Sequence, residues 1–140
     1  MGAYSSAISK NPTNPSLYFE AAKFLADNGK LQEAKGVLGK ALEVKSNFQE
    51  AIFLLSQVQA AEGSTDEAIN SVSVLVNANP LSQYLHFQLG YLKYLNKDYT
   101  GAIDALNNAV EIDTQYSNAR YFLGLSYSKL GRDRKSTRLN

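Results

Sequence analysis

The sequence predicts an all-α fold, a solenoid built from antiparallel helix pairs, and three observations predict it. The chain resembles itself at an interval of 34 residues, apolar side chains return at helical spacing within each half of that interval, and glycine or asparagine interrupts the pattern at matching places. A unit of this size cannot bury its apolar face alone, so stacking on its neighbours must supply the core.

The interval is justified column by column. Sliding the chain by 34 residues aligns Ala34, Ala68 and Ala102, then Ala7, Ala41, Leu75 and Ala109, then Ala22, Ser56, Gly90 and Gly124. Small residues thus recur where helices must approach closely. The same step aligns the larger apolar residues Leu38, Val72 and Leu106, then Ile8, Leu42, Val76 and Val110, then Leu55, Leu89 and Leu123.

The punctuation repeats with the packing. Gly29, Gly63 and Gly131 share a column with Lys97, and Pro12 and Pro80 share one with Ser46 and Thr114. Asn28-Gly29 and Glu62-Gly63 are expected to end a helix at mid-unit, because glycine takes the left-handed conformation that closes it. Ser64-Thr65-Asp66-Glu67 has the spacing of a capping box and restarts the helix. Asn14-Pro15 and Asn79-Pro80 are read as the starts of first helices.

In this frame residues 1–12 are the second helix of a truncated unit, 15–48, 49–82 and 83–116 are full units, and 117–132 is a lone first helix. Residues 133–140 read Asp-Arg-Lys-Ser-Thr-Arg-Leu-Asn, which matches the in-frame translation of a common short-read sequencing adapter. They are expected to be a non-native tail, with the natural chain continuing beyond Arg132 and the whole a fragment of a longer protein. Without that tail the formal charge falls from +1 to −1, so the basic end carries no argument.

Leu123-Gly124-Leu125-Ser126-Tyr127 fits the L-G-x-x-Y core of the tetratricopeptide pattern, and Ala102 with Leu106 fits its A-x-x-x-F element with a smaller apolar residue. Residues 1–132 resemble that family. No unit carries tryptophan at the first signature position, where Tyr18, Ile52, His86 and Arg120 stand, and Ala22 and Ser56 replace the first-helix glycine in two units. The pentatricopeptide family, which reads RNA, favours a period one residue longer. The resemblance implies a right-handed superhelix whose first helices line a concave groove through their second, fifth, ninth and twelfth positions.

Those positions are Ser16, Phe19, Lys23 and Ala26, then Glu50, Phe53, Gln57 and Ala60, then Tyr84, Phe87, Tyr91 and Tyr94, then Asn118, Tyr121, Leu125 and Ser128. The expected function is to hold a protein or peptide there. Tyr84, Phe87, Tyr91 and Tyr94 form a second apolar stripe beside Leu85, Leu89 and Leu92, and tyrosine suits a surface because it joins contact area to a hydroxyl that tolerates water. Tyr84, Tyr91 and Tyr94 are assigned to the groove, with polar contacts from Lys23, Gln57 and Asn118. For Phe19, Phe53, Phe87 and Tyr121, packing between successive units is favoured over ligand contact. The clamp by which some family members hold chaperone C-termini is not expected, because Phe19 and Phe53 occupy sites where it needs lysine.

Other classes fit less well. The composition, 44% hydrophobic and 19% charged with a formal charge of +1, is that of an ordinary soluble globular protein. The groove positions hold a single lysine, Lys23, so nucleic acid is not an expected partner. No apolar run approaches the roughly 20 residues of a membrane span, and no basic segment followed by a long apolar one opens the chain. The absence of cysteine removes disulfides and thiolate sites. Neither an enzyme activity nor a cofactor or metal is expected: the sole histidine, His86, faces the stack, and Asp66, Glu67, Asp98, Asp104, Glu111 and Asp113 lie around helix ends that attract acids. The alternatives are self-association through uncapped ends, for which Ala3, Tyr4, Ile8 and Tyr127 offer apolar surface, or an appendage of a larger protein, membrane-bound enzymes included.

Overall fold

The computed structural model describes the backbone of residues 2–139 and the side chains of residues 2–132. Among the described residues there are eight α-helices and no strand: α1 (Gly2–Lys10), α2 (Pro15–Asp27), α3 (Leu31–Val44), α4 (Gln49–Ala61), α5 (Thr65–Ala78), α6 (Gln83–Leu95), α7 (Tyr99–Ile112) and α8 (Ser117–Leu139). First helices start at Pro15, Gln49, Gln83 and Ser117, and second helices at Leu31, Thr65 and Tyr99, each series stepping by the interval seen in the sequence. The helices fall into two compact units, Met1–Ser71 and Val72–Asn140, the division falling within α5.

In the first unit α2 packs on α3, α3 on α4, α1 on α2, and the first helices α2 and α4 touch. Its core joins Tyr18, Ala22 and Leu25 of α2 to Ala34, Leu38 and Ala41 of α3, with Phe48, Ala51 and Val58 completing it. In the second unit α6 packs on α7, α7 on α8, and α6 touches α8. There the core is Phe87, Ala102, Leu106, Ala109 and Ala119. The alanine columns of the sequence are the buried columns, because only a small side chain lets two helix backbones come close.

Among the glycines within helices, Gly90 lies at a crossing too close for another helix side chain to admit a Cβ. A Cβ placed on it would lie 2.6 and 2.7 Å from Leu106 carbons and 3.3 Å from the Ala102 carbonyl. Gly124 occupies the same column one unit on, yet a Cβ there would meet nothing within 4 Å.

Helix ends follow local chemistry. Gly29 (φ 76°) and Gly63 (φ 85°) take the left-handed conformation. The amide of Lys30 reaches the Leu25 carbonyl at 2.9 Å and that of Gly29 reaches Ala26 at 3.0 Å, the paired bonds that close a helix. Lys97 does the same with φ 64°, its neighbour Asp98 donating to the Lys93 carbonyl at 2.9 Å. A side chain in that region is strained. Replacing Lys97 with glycine is therefore expected to stabilise the protein by about 0.5–1 kcal/mol, the gain being reduced by glycine's greater freedom when unfolded. Urea titration checks it: an unchanged or lower midpoint would show that the left-handed residue costs nothing.

At helix starts, the Asn14 side chain accepts from the Ser16 amide at 3.1 Å with Pro15 in the first turn, and the Asp98 carboxylate accepts from Gly101 at 3.0 Å. The reading of Asn79-Pro80 as a helix start is corrected. Ser82 caps α6, its hydroxyl accepting from the Leu85 amide at 3.2 Å, and Asn79 opens the preceding turn, its carbonyl accepting from the Ser82 amide at 3.1 Å. Pro80 falls in the column of Pro12, not of Pro15, so the two Asn-Pro pairs do different work.

A second correction concerns Gly131. It is not among the left-handed glycines, and α8 runs past it to Leu139. Glycine permits the left-handed conformation without requiring it, and continuing the helix satisfies the backbone. The reading of 133–140 as a non-native tail concerns residues whose side chains lie outside the described ones.

Three of the four residues in the first signature column, all but Ile52, share a task that their varied chemistry hides. The Tyr18 hydroxyl donates to the Pro12 carbonyl, His86 Nε2 to the Pro80 carbonyl and Arg120 Nη1 to the Thr114 carbonyl, each at 2.8 Å and each six residues back. A carbonyl only accepts, so the His86 hydrogen sits on Nε2. Three different donors thus tie the turn between units to the following first helix.

Candidate functional site

Lys23 and Gln57 are exposed on α2 and α4. Gln57 and Asp27 are the polar residues that line a hollow of about 220 Å³, together with Ala26, Leu31, Leu54, Val58 and Ala61. Beyond the helix ends, Glu62 pairs with Lys35 at 3.0 Å and accepts a bond from Gln32. Such a partly exposed pair contributes at most about 1 kcal/mol.

The aromatic positions divide by a rule that the fifth-position column reveals. Phe19 is half-buried, its ring 5.4 Å from Phe48, and Phe87 is 8% exposed, its ring edge-on to Tyr116 at 5.5 Å. Phe48 and Tyr116 share a column, so Phe19 and Phe87 each pack on the aromatic that precedes the next first helix, whereas the residue in that column after Phe53 is Ser82. Phe53 is half-buried. Tyr121 holds the same fifth position on α8, where among the described residues no next turn follows, and it is 63% exposed. For Tyr121 the expectation of packing is thus corrected.

Tyr91 and Tyr94 are not free either. Both are half-buried against Phe122, at 4.9 and 5.4 Å, and Phe122 also meets Phe87 at 6.0 Å and Tyr121 at 5.1 Å. Tyr94 further meets Tyr99 at 5.8 Å. Phe122 is therefore the hub of the second unit's aromatic cluster, although its column holds Glu20, Leu54 and Gln88 and gave no signal in the sequence. Tyr84 is 47% exposed and Asn118 is exposed. Burial raises the Tyr116 phenol above its ordinary value, and the neighbouring Tyr84 and Asp113 add to the rise. The second unit so presents Tyr84, Tyr121 and Asn118 outward, with Phe87, Tyr91, Tyr94 and Phe122 as their packed base.

His86 is buried and held by Pro80. Asp98 caps α7, and the Asp113 carboxylate accepts from the Gln115 amide at 3.0 Å. Among the described residues no group of three acidic or histidine side chains could hold a metal ion, and no helix is long and apolar enough to cross a membrane.

Comparison with known proteins agrees with the geometry. Tetratricopeptide repeat models match residues 3–36, 25–88 and 84–116. Among curated proteins none matches the sequence. Among solved structures, MamA is similar at 20% identity over 97% of this chain and 80% of its own, with a TM-score of 0.84. YrrB, a TPR protein with an unusual peptide-binding site, is similar at 24% identity over 93% of this chain and 67% of its own, with a TM-score of 0.77. A tetratricopeptide repeat protein from Parabacteroides merdae ATCC 43184 is similar at 23% identity over 98% of this chain and 55% of its own, with a TM-score of 0.87. These likenesses show a fold, an all-α helical-repeat solenoid. Taken with the interval, the helix pairs and the small-residue crossings, the matches across residues 3–116 show that the chain belongs to the tetratricopeptide repeat family.

Proposed function

We propose that this protein is an interaction scaffold that holds a peptide or protein segment against its first helices. The observation that carries the reading is the pair of exposed tyrosines, Tyr84 and Tyr121, beside a packed base of Phe87, Tyr91, Tyr94 and Phe122. A large apolar ring left in water is unfavourable unless something covers it, and tyrosine keeps its hydroxyl available for a bond when that happens. Phe122 meets Tyr121 edge-on at 5.1 Å, a contact that binding on the exposed side of the tyrosine leaves in place. In the first unit the hollow that Gln57 helps to line offers room for one aliphatic side chain, and an amide side chain can both donate to and accept from a peptide backbone. The peptide-binding site of YrrB, a protein of the same fold, supports a peptide as the ligand class.

The test is selection of binders from a displayed library of random peptides, followed by affinity measurement on variants. Tyr84→Ala with Tyr121→Ala is expected to weaken a selected peptide about tenfold or more, as hot-spot aromatics do, while stability falls by no more than about 1.5 kcal/mol, because both side chains lie outside the core and the Tyr121–Phe122 ring pair is of that order. Tyr91 and Tyr94 are poorer probes, since their packing on Phe122 would mix lost binding with lost stability. Selected peptides whose affinity ignores both tyrosines and Gln57 would reject the reading.

A further inference from the structure

The hollow of about 220 Å³ on the first unit has a filled counterpart in the second. Three of its lining residues, Ala26, Leu31 and Leu54, stand two intervals before Tyr94, Tyr99 and Phe122. In the second unit those columns carry rings that pack on one another, Tyr94 edge-on to Phe122 at 5.4 Å and to Tyr99 at 5.8 Å. The helix crossings beneath are equivalent: Ala34, Leu38 and Ala41 are buried on α3 as Ala102, Leu106 and Ala109 are on α7. On that common frame the first unit places one methyl and two isobutyl groups where the second places three rings, and a hollow remains. A cavity of roughly 150 Å³ already accepts a benzene ring, so this one has room for an aromatic side chain.

We infer that the hollow receives an aromatic side chain of the bound segment, with a lysine or arginine next to it in that segment. That the ligand is a peptide rests on the function proposed above; the side chain it offers here is what the hollow adds. The guest ring takes the place that the Tyr94 ring fills in the second unit, meeting Leu31 and Leu54 where Tyr94 meets Tyr99 and Phe122. Leu31 and Leu54 are half-buried, so covering them removes apolar surface from water. The charge follows from Asp27, the one charged residue in the lining and the exposed last residue of α2. Neither α2 nor α4 has a basic residue in its last turn, so the carboxylate adds to the negative ends of two helix dipoles. Of the lysines on these helices, Lys35 is held by Glu62 at 3.0 Å, and Lys23 does not line the hollow. A cation in the ligand therefore complements this rim.

The probes are N-acetyl-Phe-Arg amide, N-acetyl-Ala-Arg amide and N-acetyl-Phe-Glu amide, titrated into the full chain while the methyl signals of Leu31, Leu54 and Val58 are followed by NMR. The Phe-Arg probe is expected to bind about tenfold tighter than Ala-Arg. It should bind roughly two- to fivefold tighter than Phe-Glu, an advantage that fades at high salt. Ala26→Tyr and Leu54→Phe each restore a ring that the second unit carries in the same column, and each, checked for wild-type melting, is expected to weaken Phe-Arg at least about tenfold. Should one of them fail to fold, the other carries the test. Asp27→Asn is expected to erase the preference for arginine over glutamate and to keep that for phenylalanine over alanine. Equal binding of the phenylalanine and alanine probes, equal binding of the arginine and glutamate probes, or methyl shifts that persist in the ring variants would each overturn the inference. Library peptides that need Tyr84 and Tyr121 while the probes ignore the hollow would sink this inference and leave the scaffold reading standing. Probes that find the hollow while selected peptides ignore both tyrosines and Gln57 would do the reverse.

Discussion

Gly90→Val is expected to destabilise the protein by about 3 kcal/mol, a value at the upper end of overpacking costs. The first carbon added would sit at 2.6 and 2.7 Å from Leu106, which is fully buried and has no space to retreat into, and at 3.3 Å from the Ala102 carbonyl, which is backbone. Either α6 and α7 separate, exposing the core that Phe87, Ala102 and Leu106 share, or Leu106 is driven off its rotamer. The better helix propensity of valine over glycine returns less than about 1 kcal/mol. The matched control is Gly124→Ala. It stands in the same column but adds its carbon to open space, so it should stabilise by up to about 1 kcal/mol through propensity alone. Urea midpoints of the two variants against wild type decide the matter. Equal shifts at both glycines would mean that the α6–α7 crossing is looser than the Leu106 distances indicate.

That contrast also marks how far the letters could be read. The period, the helix pairs and the small-residue columns were all legible because they are consequences of one requirement, that backbones approach closely at fixed intervals. Legibility failed where neighbours differ though columns agree. Gly90 and Gly124 are the same letter in the same column, yet one is a tight contact and the other borders a cleft, because a helix follows α6 and none follows α8 among the described residues. Tyr121 is exposed for the same reason: among the described residues the aromatic against which Phe19 and Phe87 pack has no counterpart after it.

Other features needed three-dimensional pairing of two columns. The reach of Tyr18, His86 and Arg120 to a carbonyl six residues back joins two columns that were aligned separately, and phenol, imidazole and guanidinium share only a donor. Asn79-Pro80 misled because the dipeptide matches Asn14-Pro15 in letters but sits three residues earlier in register, where it forms the turn instead of the cap. The candidate site was half legible: its aromatic character came from the stripe on α6, whereas its division into outward and packed rings depends on Phe122, whose column shows no pattern.

Phe122→Ala is expected to cost about 2–3 kcal/mol, less than the 3–5 kcal/mol of a fully buried phenylalanine because Phe122 is half-buried. Four aromatic partners, Phe87, Tyr91, Tyr94 and Tyr121, lose a ring within about 6 Å, and each such pair adds roughly 0.5–1.5 kcal/mol beyond burial, with shared atoms keeping the total below the sum. Phe122→Leu separates volume from ring packing: it retains most of the apolar contact and should recover more than half of the stability. Peptide affinity should respond differently from stability. If the packed base orients Tyr121 for its ligand, Phe122→Leu lowers affinity several-fold although the fold is largely restored, since leucine offers no ring edge to Tyr121. Full recovery of both stability and affinity by leucine would reduce Phe122 to an apolar filler and remove the case for a preorganised aromatic surface on the second unit. Wild-type melting of Phe122→Ala would go further, showing that the cluster contributes nothing to holding α6 against α8.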